Sequence, residues 1–255
     1  MTALPAAEIE AHARELMTGA HAVVRTLEDL GGHRIFGYPG GAIMPVYDAL
    51  VGSKLEHILV RHEQAASFAA DAQARLTGKA GVCLATSGPG ATNLLTGIAN
   101  AYMDSVPMVI LTGQVPSTLM GTDAFQEVDV FGMSMPVVKH SIIIRDPMRI
   151  PEMIAEAFEI AEGGRPGPVL IDLPKDVTQG PCETPFVDHV DLPGYTVPGR
   201  GDPASLAQAA ELLKAAKRPL LYVGNGAVIS DAGKAIISLA EKLRAPIVNT
   251  LLGKG

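Results

Sequence analysis

The sequence predicts an α/β protein, a doubly wound parallel sheet followed by the beginning of a second α/β domain. Three observations carry this. Short, continuous apolar runs alternate with stretches of helical period, the pattern of parallel strands covered on both faces by helices. Gly-rich joints such as GYPGGA and SGPGATN stand where strands give way to helices. Between Pro174 and Pro203 the chain turns rich in proline and glycine and loses its periodicity, and a fresh helix–strand–helix–strand pattern follows.

The elements are read in order. A helix running to about residue 30 leads to the strand RIFGY, a helix over IMPVYDAL and the strand HILV. Next come the helix that begins at Glu63, the strand GVCLAT, a helix over TNLLTGIANAYM and the strand PMVILTG. The Glu63 helix reads Ala65, Ala66, Phe68, Ala69, Ala70, Ala72, Ala74 and Leu76, small or apolar nearly all round, so it is expected to be buried. A long loop from 116 to 127 precedes the strand VVKHSIII, a helix over PEMIAEAFEIAEG and the strand PVLIDLP. Residues 1–175 form the first domain and 176–202 an interdomain linker. Residues 203–255 begin a second domain with the helix PASLAQAAELLKAAK, the strand PLLYVGNG, the helix AGKAIISLAEKLR and the strand PIVNT. A βαβ pattern that stops just after its second strand cannot complete a sheet, so the chain is expected to be a fragment of a longer protein.

Composition narrows the function. Of 255 residues, 47% are hydrophobic and 18% charged, ordinary for a soluble globular protein. A formal charge of -7 without any dense basic run argues against nucleic acid as a partner. No apolar stretch approaches the roughly 18 residues of a membrane span, and the N-terminus MTALPAAEIEAHARE is acidic, so a cytoplasmic protein without membrane contact is expected. Cys83 and Cys182 lack CxxC or nearby His spacing, so neither a disulfide framework nor a metal site is predicted.

In a doubly wound sheet, ligands gather beyond the carboxyl ends of the strands, where GYPGGA, SGPGATN and GQVPSTLMGTDAFQE all fall. Taken singly, each Gly-rich turn is more often structural than functional. SGPGATN lacks the lysine and hydroxyl of GxxxxGK[ST], and GxGxxG is absent, so neither nucleotide fingerprint is present. Pro89 fixes a rigid turn, and Asn93 brings a donor and an acceptor to the next helix. A first-turn carboxylate such as Glu63 gains about 0.3 to 1 kcal/mol from the helix dipole, a sufficient structural reason for it. The apolar residues that follow are also expected to desolvate it, which suits a group that gives or takes a proton.

Taken together, GYPGGAIMPVYDAL, LVRHEQAA, GVCLATSGPGATNL, AYMDSVPMVILTGQVP, GTDAFQEVDV and GRPGPVLIDLPKD resemble, in order and spacing, the acetolactate synthase family of thiamine-diphosphate enzymes. The likeness implies that residues 1–175 are a pyrimidine-binding domain and that the second domain is the start of a central, FAD-binding one. It implies that the Mg²⁺ and diphosphate site lies in a third domain beyond residue 255, leaving no metal site in this fragment. The active site would form across a homodimer, so this chain alone is expected to be inactive. A regulatory small subunit is a further expected partner.

By the same resemblance, Glu63 matches the family glutamate that hydrogen-bonds N1′ of the aminopyrimidine, so that the ring's own amino group can take the thiazolium C2 proton. Tyr38, Pro39, Gly40, Pro89 and Asn93 match thiamine-diphosphate contacts. Gly41, Ala42, Phe125 and Gln126 match the wall of the reaction centre, with Gln126 counted beside Glu63 as catalytic. Pro116, Ala124 and Lys175 fall along the substrate and inhibitor channel. Arg165, Gly224, Asn225, Gly226, Thr250 and Leu251 match FAD contacts; structurally, Arg165 reads as a helix-capping cation and the glycines as a turn. The implied reaction condenses pyruvate, after loss of CO₂, with a second pyruvate or with 2-oxobutyrate, as branched-chain amino-acid synthesis requires. Glyoxylate carboligase, a near relative, has an apolar residue in place of the glutamate, so Glu63 argues against it. Sulfoacetaldehyde acetyltransferase, oxalyl-CoA decarboxylase and a non-catalytic binding or dimerisation module are the remaining alternatives.

Overall fold

The computed structural model describes residues 16–183, 187 and 190–255. The chain divides into two compact units, Met1–Gly194 and Tyr195–Gly255. The amino-terminal part of the expected first helix lies outside the described residues, which take that helix up at Gly19–Asp29.

The first unit is built on six strands, all paired in parallel: β2 (Arg34–Gly37), β3 (Glu56–Leu59), β4 (Gly81–Ala85), β5 (Met108–Gln114), β6 (His140–Ile143) and β7 (Pro168–Pro174). Their spatial order is β3-β2-β4-β5-β7-β6. Connections from β2 run to one side and those from β4 to the other, so the chain splits between these two strands and opens a crevice beyond their carboxyl ends. An antiparallel pair, β1 (Leu16–Thr18) with β8 (Pro181–Glu183), completes the unit.

Strand periodicity divides the core in two. Val82 and Leu84 of β4, with Val109 and Leu111 of β5, pack toward helices Gly19–Asp29 and Ile150–Glu162. Cys83, Ala85, Met108 and Ile110 face the other way, onto helices Glu63–Thr77 and Pro89–Asp104. Among the described residues no helix is long and apolar enough to cross a membrane.

Three readings are corrected. The Glu63 helix is not buried all round: Ala66, Ala70 and Ala74 face the core, while Ala65, Phe68, Ala72 and Leu76 form an exposed apolar stripe. The strand expected over VVKHSIII is shorter, because Met135–Val137 takes a 3₁₀ turn and pairing begins at His140. The stretch from 176 also starts with structure: Lys175–Gln179 is helical, and Cys182 of β8 is buried in the first core.

In the second unit, helix Pro203–Ala215 leads to β9 (Leu221–Val223), helices Asn225–Ile229 and Gly233–Leu243, and β10 (Ile247–Asn249). β9 and β10 pair in parallel, Ile247 opposite Leu221.

Candidate functional site

Two helices bring Glu63 to the crevice. Helix Glu63–Thr77 starts sharply because His62 is extended and its Nδ1 accepts from the Gln64 N–H at 3.2 Å. Helix Pro89–Asp104 starts with proline in its first turn, after Gly88 at φ +58°. The two pack closely where Gly97 leaves room for the Ser67 hydroxyl. One turn nearer their starts, the Asn93 amide donates to Oε2 of Glu63 at 2.9 Å. Glu63 is only 9% exposed. Its Oε1 lies beside Gly90, where an added Cβ would come within 3.2 Å, and it accepts no hydrogen bond among the described residues.

The loop after β2 closes the crevice on one side. Tyr38 N–H donates to the Leu84 carbonyl at 3.3 Å and Ala42 N–H to Oγ1 of Thr86 at 3.3 Å. Gly40 is required here, since a Cβ would lie 2.5 Å from Cβ and Cγ2 of Thr86. Tyr38 and Gly41 are exposed, and Pro39 and Ala42 half-buried. Behind the loop, the Tyr47 ring meets His57 edge-on at 5.0 Å, and its buried hydroxyl has no partner among the described residues. Burial, then the nearby Glu63 carboxylate, pushes that hydroxyl's pKa up.

On the other side lies the loop after β5. Phe125 is 88% exposed. Gln126 holds a left-handed backbone, φ +59°, and its carbonyl packs on Gly88, where a Cβ would lie 2.6 Å from that oxygen. Glu127 accepts from the N–H groups of Gly121, of Thr122 at 3.2 Å and of Ala124 at 3.0 Å. The Gly121 bond first, with those of Ala124 and Thr122, holds its carboxyl below the usual range. Below the loop, Gln114 donates Nε2 to the Val128 carbonyl at 2.9 Å and to Asp172 at 3.0 Å. Asp172 also accepts from Thr112 at 2.7 Å; burial pushes its carboxyl up to about 7 against these two bonds. The β5–β7 register brings Pro116 toward Lys175, where Ser117 N–H bonds Asp176 at 2.9 Å.

Tyr38, Pro39, Gly40, Glu63, Pro89, Asn93 and the 125–126 pair thus all lie at the carboxyl edge of the first sheet. Arg165 lies at the opposite, amino-terminal edge, with Nε donating to Oγ of Ser105 at 2.7 Å. In the second unit, Gly224, Asn225 and Gly226 follow β9 while Thr250 and Leu251 follow β10, and Thr250 N–H reaches the Val223 carbonyl at 2.9 Å. A Cβ at Gly224 or Gly226 would meet nothing, so neither glycine is required sterically. Reading the sequence missed Thr86, Tyr47, Glu127 and Asp172. The charge of Asp172 inside the apolar run PVLIDLP is a signal for the last; Glu127 stands in GTDAFQE, where its main-chain partners leave no mark in the sequence.

A first-turn carboxylate held by an amide, beside a glycine and at the switch point of a parallel sheet, can exchange a proton with a ring nitrogen. Residues 17–133 match the thiamine pyrophosphate enzyme N-terminal TPP binding domain, and residues 206–255 the central domain of the same enzymes. The chain belongs to the thiamine-pyrophosphate-dependent enzymes.

Within them it is similar to acetolactate synthase large subunits. It is 54% identical over 242 residues to the "Probable acetolactate synthase large subunit" of Methanocaldococcus jannaschii, covering 94% of this chain and 41% of that protein. The large subunit of Parasynechococcus marenigrum is 53% identical, across 97% of this chain and 41% of its own length. That of Corynebacterium glutamicum is 52% identical, across 95% and 39%. The chain therefore spans about 40% of the length of these relatives.

Proposed function

We propose that this chain supplies the pyrimidine-binding side of a thiamine-diphosphate-dependent acetolactate synthase. That enzyme decarboxylates pyruvate and joins it to a second 2-keto acid, giving acetolactate from pyruvate or acetohydroxybutyrate from 2-oxobutyrate, for branched-chain amino-acid synthesis in the cytoplasm. The observation that carries the reading is Glu63: Oε2 is taken by Asn93, while Oε1 faces Gly90 with no donor of the protein's own among the described residues. An aminopyrimidine nitrogen fits such an acceptor, and Gly90 has to be bare for Glu63 to sit there, since a Cβ would meet Cγ2 of Thr86 at 2.8 Å and Oε1 of Glu63 at 3.2 Å. Bound thiamine diphosphate supplies the carbon nucleophile for the keto acid.

The chain's residues then have separate tasks. Glu63 holds and returns a proton at the ring nitrogen, in a site where burial strengthens the hydrogen bond. Asn93 fixes the carboxylate, and Tyr38, Pro39, Gly40 and Pro89 flank the ring. Gly41, Ala42, Phe125 and Gln126 face the keto acids, with Lys175 farther along the approach. FAD belongs to the same reading: Gly224–Gly226 and Thr250–Leu251 stand at the carboxyl ends of paired parallel strands, a position that suits a ligand, and Arg165 is assigned to it by resemblance. Mg²⁺ is assigned to no residue of this chain. The exposed stripe of Ala65, Phe68, Ala72 and Leu76 supports a homodimer that covers it. The relatives' designation as large subunits supports a regulatory small subunit.

The test is acetolactate formation. The chain alone is expected to form none; joined to the rest of a large subunit, with pyruvate, thiamine diphosphate, Mg²⁺ and FAD, it is expected to form it. Glu63→Gln should keep the fold and lower turnover by about two to four orders of magnitude, the scale of proton-transfer catalysis. Turnover within about twofold of the parent would refute the role of Glu63.

A further inference from the structure

The loop from Gly121 to Glu127 is short, exposed and conformationally costly. Gly121 has φ +80°, and two residues with side chains, Asp123 at +57° and Gln126 at +59°, also lie in the left-handed region. Such a conformation persists only where the surroundings determine it. One side chain does so here. Oε1 of Glu127 accepts from Gly121, and Oε2 accepts from Thr122 and Ala124. Glu127 N–H returns to the Ala124 carbonyl at 3.0 Å, closing a ring around its own carboxylate.

The ring is anchored outside as well. Immediately after it, the Val128 carbonyl is held by Gln114, which is held by buried Asp172. On the other side, the Gln126 carbonyl rests on Gly88, where no side chain would fit.

We propose that Glu127 is a positioning residue: by gathering three backbone N–H groups it fixes the left-handed turn that aims Gln126 and Phe125 at the reaction centre. This rests on the function proposed above. The carboxylate is needed as such, because its two oxygens serve three donors. A glutamine of the same shape would offer one oxygen and turn an NH₂ group toward N–H donors. A residue that merely filled space would tolerate that exchange.

Two measurements decide. In the 255-residue chain, amide resonances of Gly121, Thr122, Ala124 and Gln126 are followed in wild type and Glu127→Gln. All four are expected to move, with resonances of β4 and β5 unchanged. If the four stay in place, the inference is overturned. In the enzyme of full relative length, Glu127→Gln is expected to lower kcat/KM for pyruvate by about tenfold to a hundredfold, the scale of a displaced positioning group, with thiamine-diphosphate affinity unchanged. Combined with Phe125→Ala and Gln126→Ala together, it should cost little beyond those two changes alone, because it acts through those residues. Losses that multiply, or a Glu127→Gln enzyme within about twofold of wild type, overturn it. Glu63→Gln serves as the control. If that variant is also fully active, the proposed function itself fails, while the amide measurement still decides what Glu127 holds.

Discussion

Asn93 donates its amide to the Glu63 carboxylate across 30 residues of sequence and 2.9 Å of space, and it is the one hydrogen bond that the carboxylate accepts among the described residues. Asn93→Ala would leave a 9%-exposed charge without its donor. The loss should lower unfolding stability by about 1 to 3 kcal/mol, the cost of stranding a buried acceptor. Urea denaturation of the 255-residue chain measures it, and Asn93→Asp, which sets two carboxylates together, should be worse than alanine at pH 8 and closer to it at pH 4.

Gly40 and Gly41 are neighbours with opposite tolerance. A Cβ at Gly40 meets Thr86 at 2.5 Å, whereas one at Gly41 meets nothing within 4 Å. Gly40→Ala should push Thr86 away, weaken its bond to the Ala42 N–H and cost about 1 to 3 kcal/mol, as overpacking does. Gly41→Ala should change the melting temperature little. Equal melting temperatures for the two variants would contradict the fitted junction of the two loops.

Asp172 gives the first unit a distinctive pH response. Burial raises its carboxyl to about 7 in the fold, against about 3.9 for an unfolded Asp. The folded state therefore binds the proton more tightly. Its contribution is fully present below pH 4 and is lost as pH rises through 7, by up to about 4 kcal/mol. Denaturation of wild type and Asp172→Asn at pH 5 and pH 8 checks the sign: the wild type should lose stability relative to the variant on going to the higher pH. A constant difference would contradict it.

Local order was largely legible in the residues. Alternation of apolar runs and helical stretches indicated the strands, and Gly or Pro at the junctions marked where helices begin. What sequence could not show was lateral order: nothing in RIFGY or GVCLAT says that β2 and β4 are neighbours, so the meeting of Gly40 with Thr86 had no local signal. The Glu63 helix misled because alanine suits a buried face and an exposed one alike; its outer stripe shows only once the inner face is seated. Glu63 and Asn93 were each picked out, but their bond depends on the close approach at Gly97 and Ser67. The ring around Glu127 leaves no periodic trace, since its donors are main-chain groups that every residue carries.

Gly88 and Gln126 stand 38 positions apart (126 minus 88), yet one has room only because the other is bare. Anyone reshaping this junction would treat the two as a single heritable unit. Transplanting a segment that puts a side chain at position 88 would drive its Cβ into the Gln126 main chain, and libraries that vary both together should yield far more folded clones.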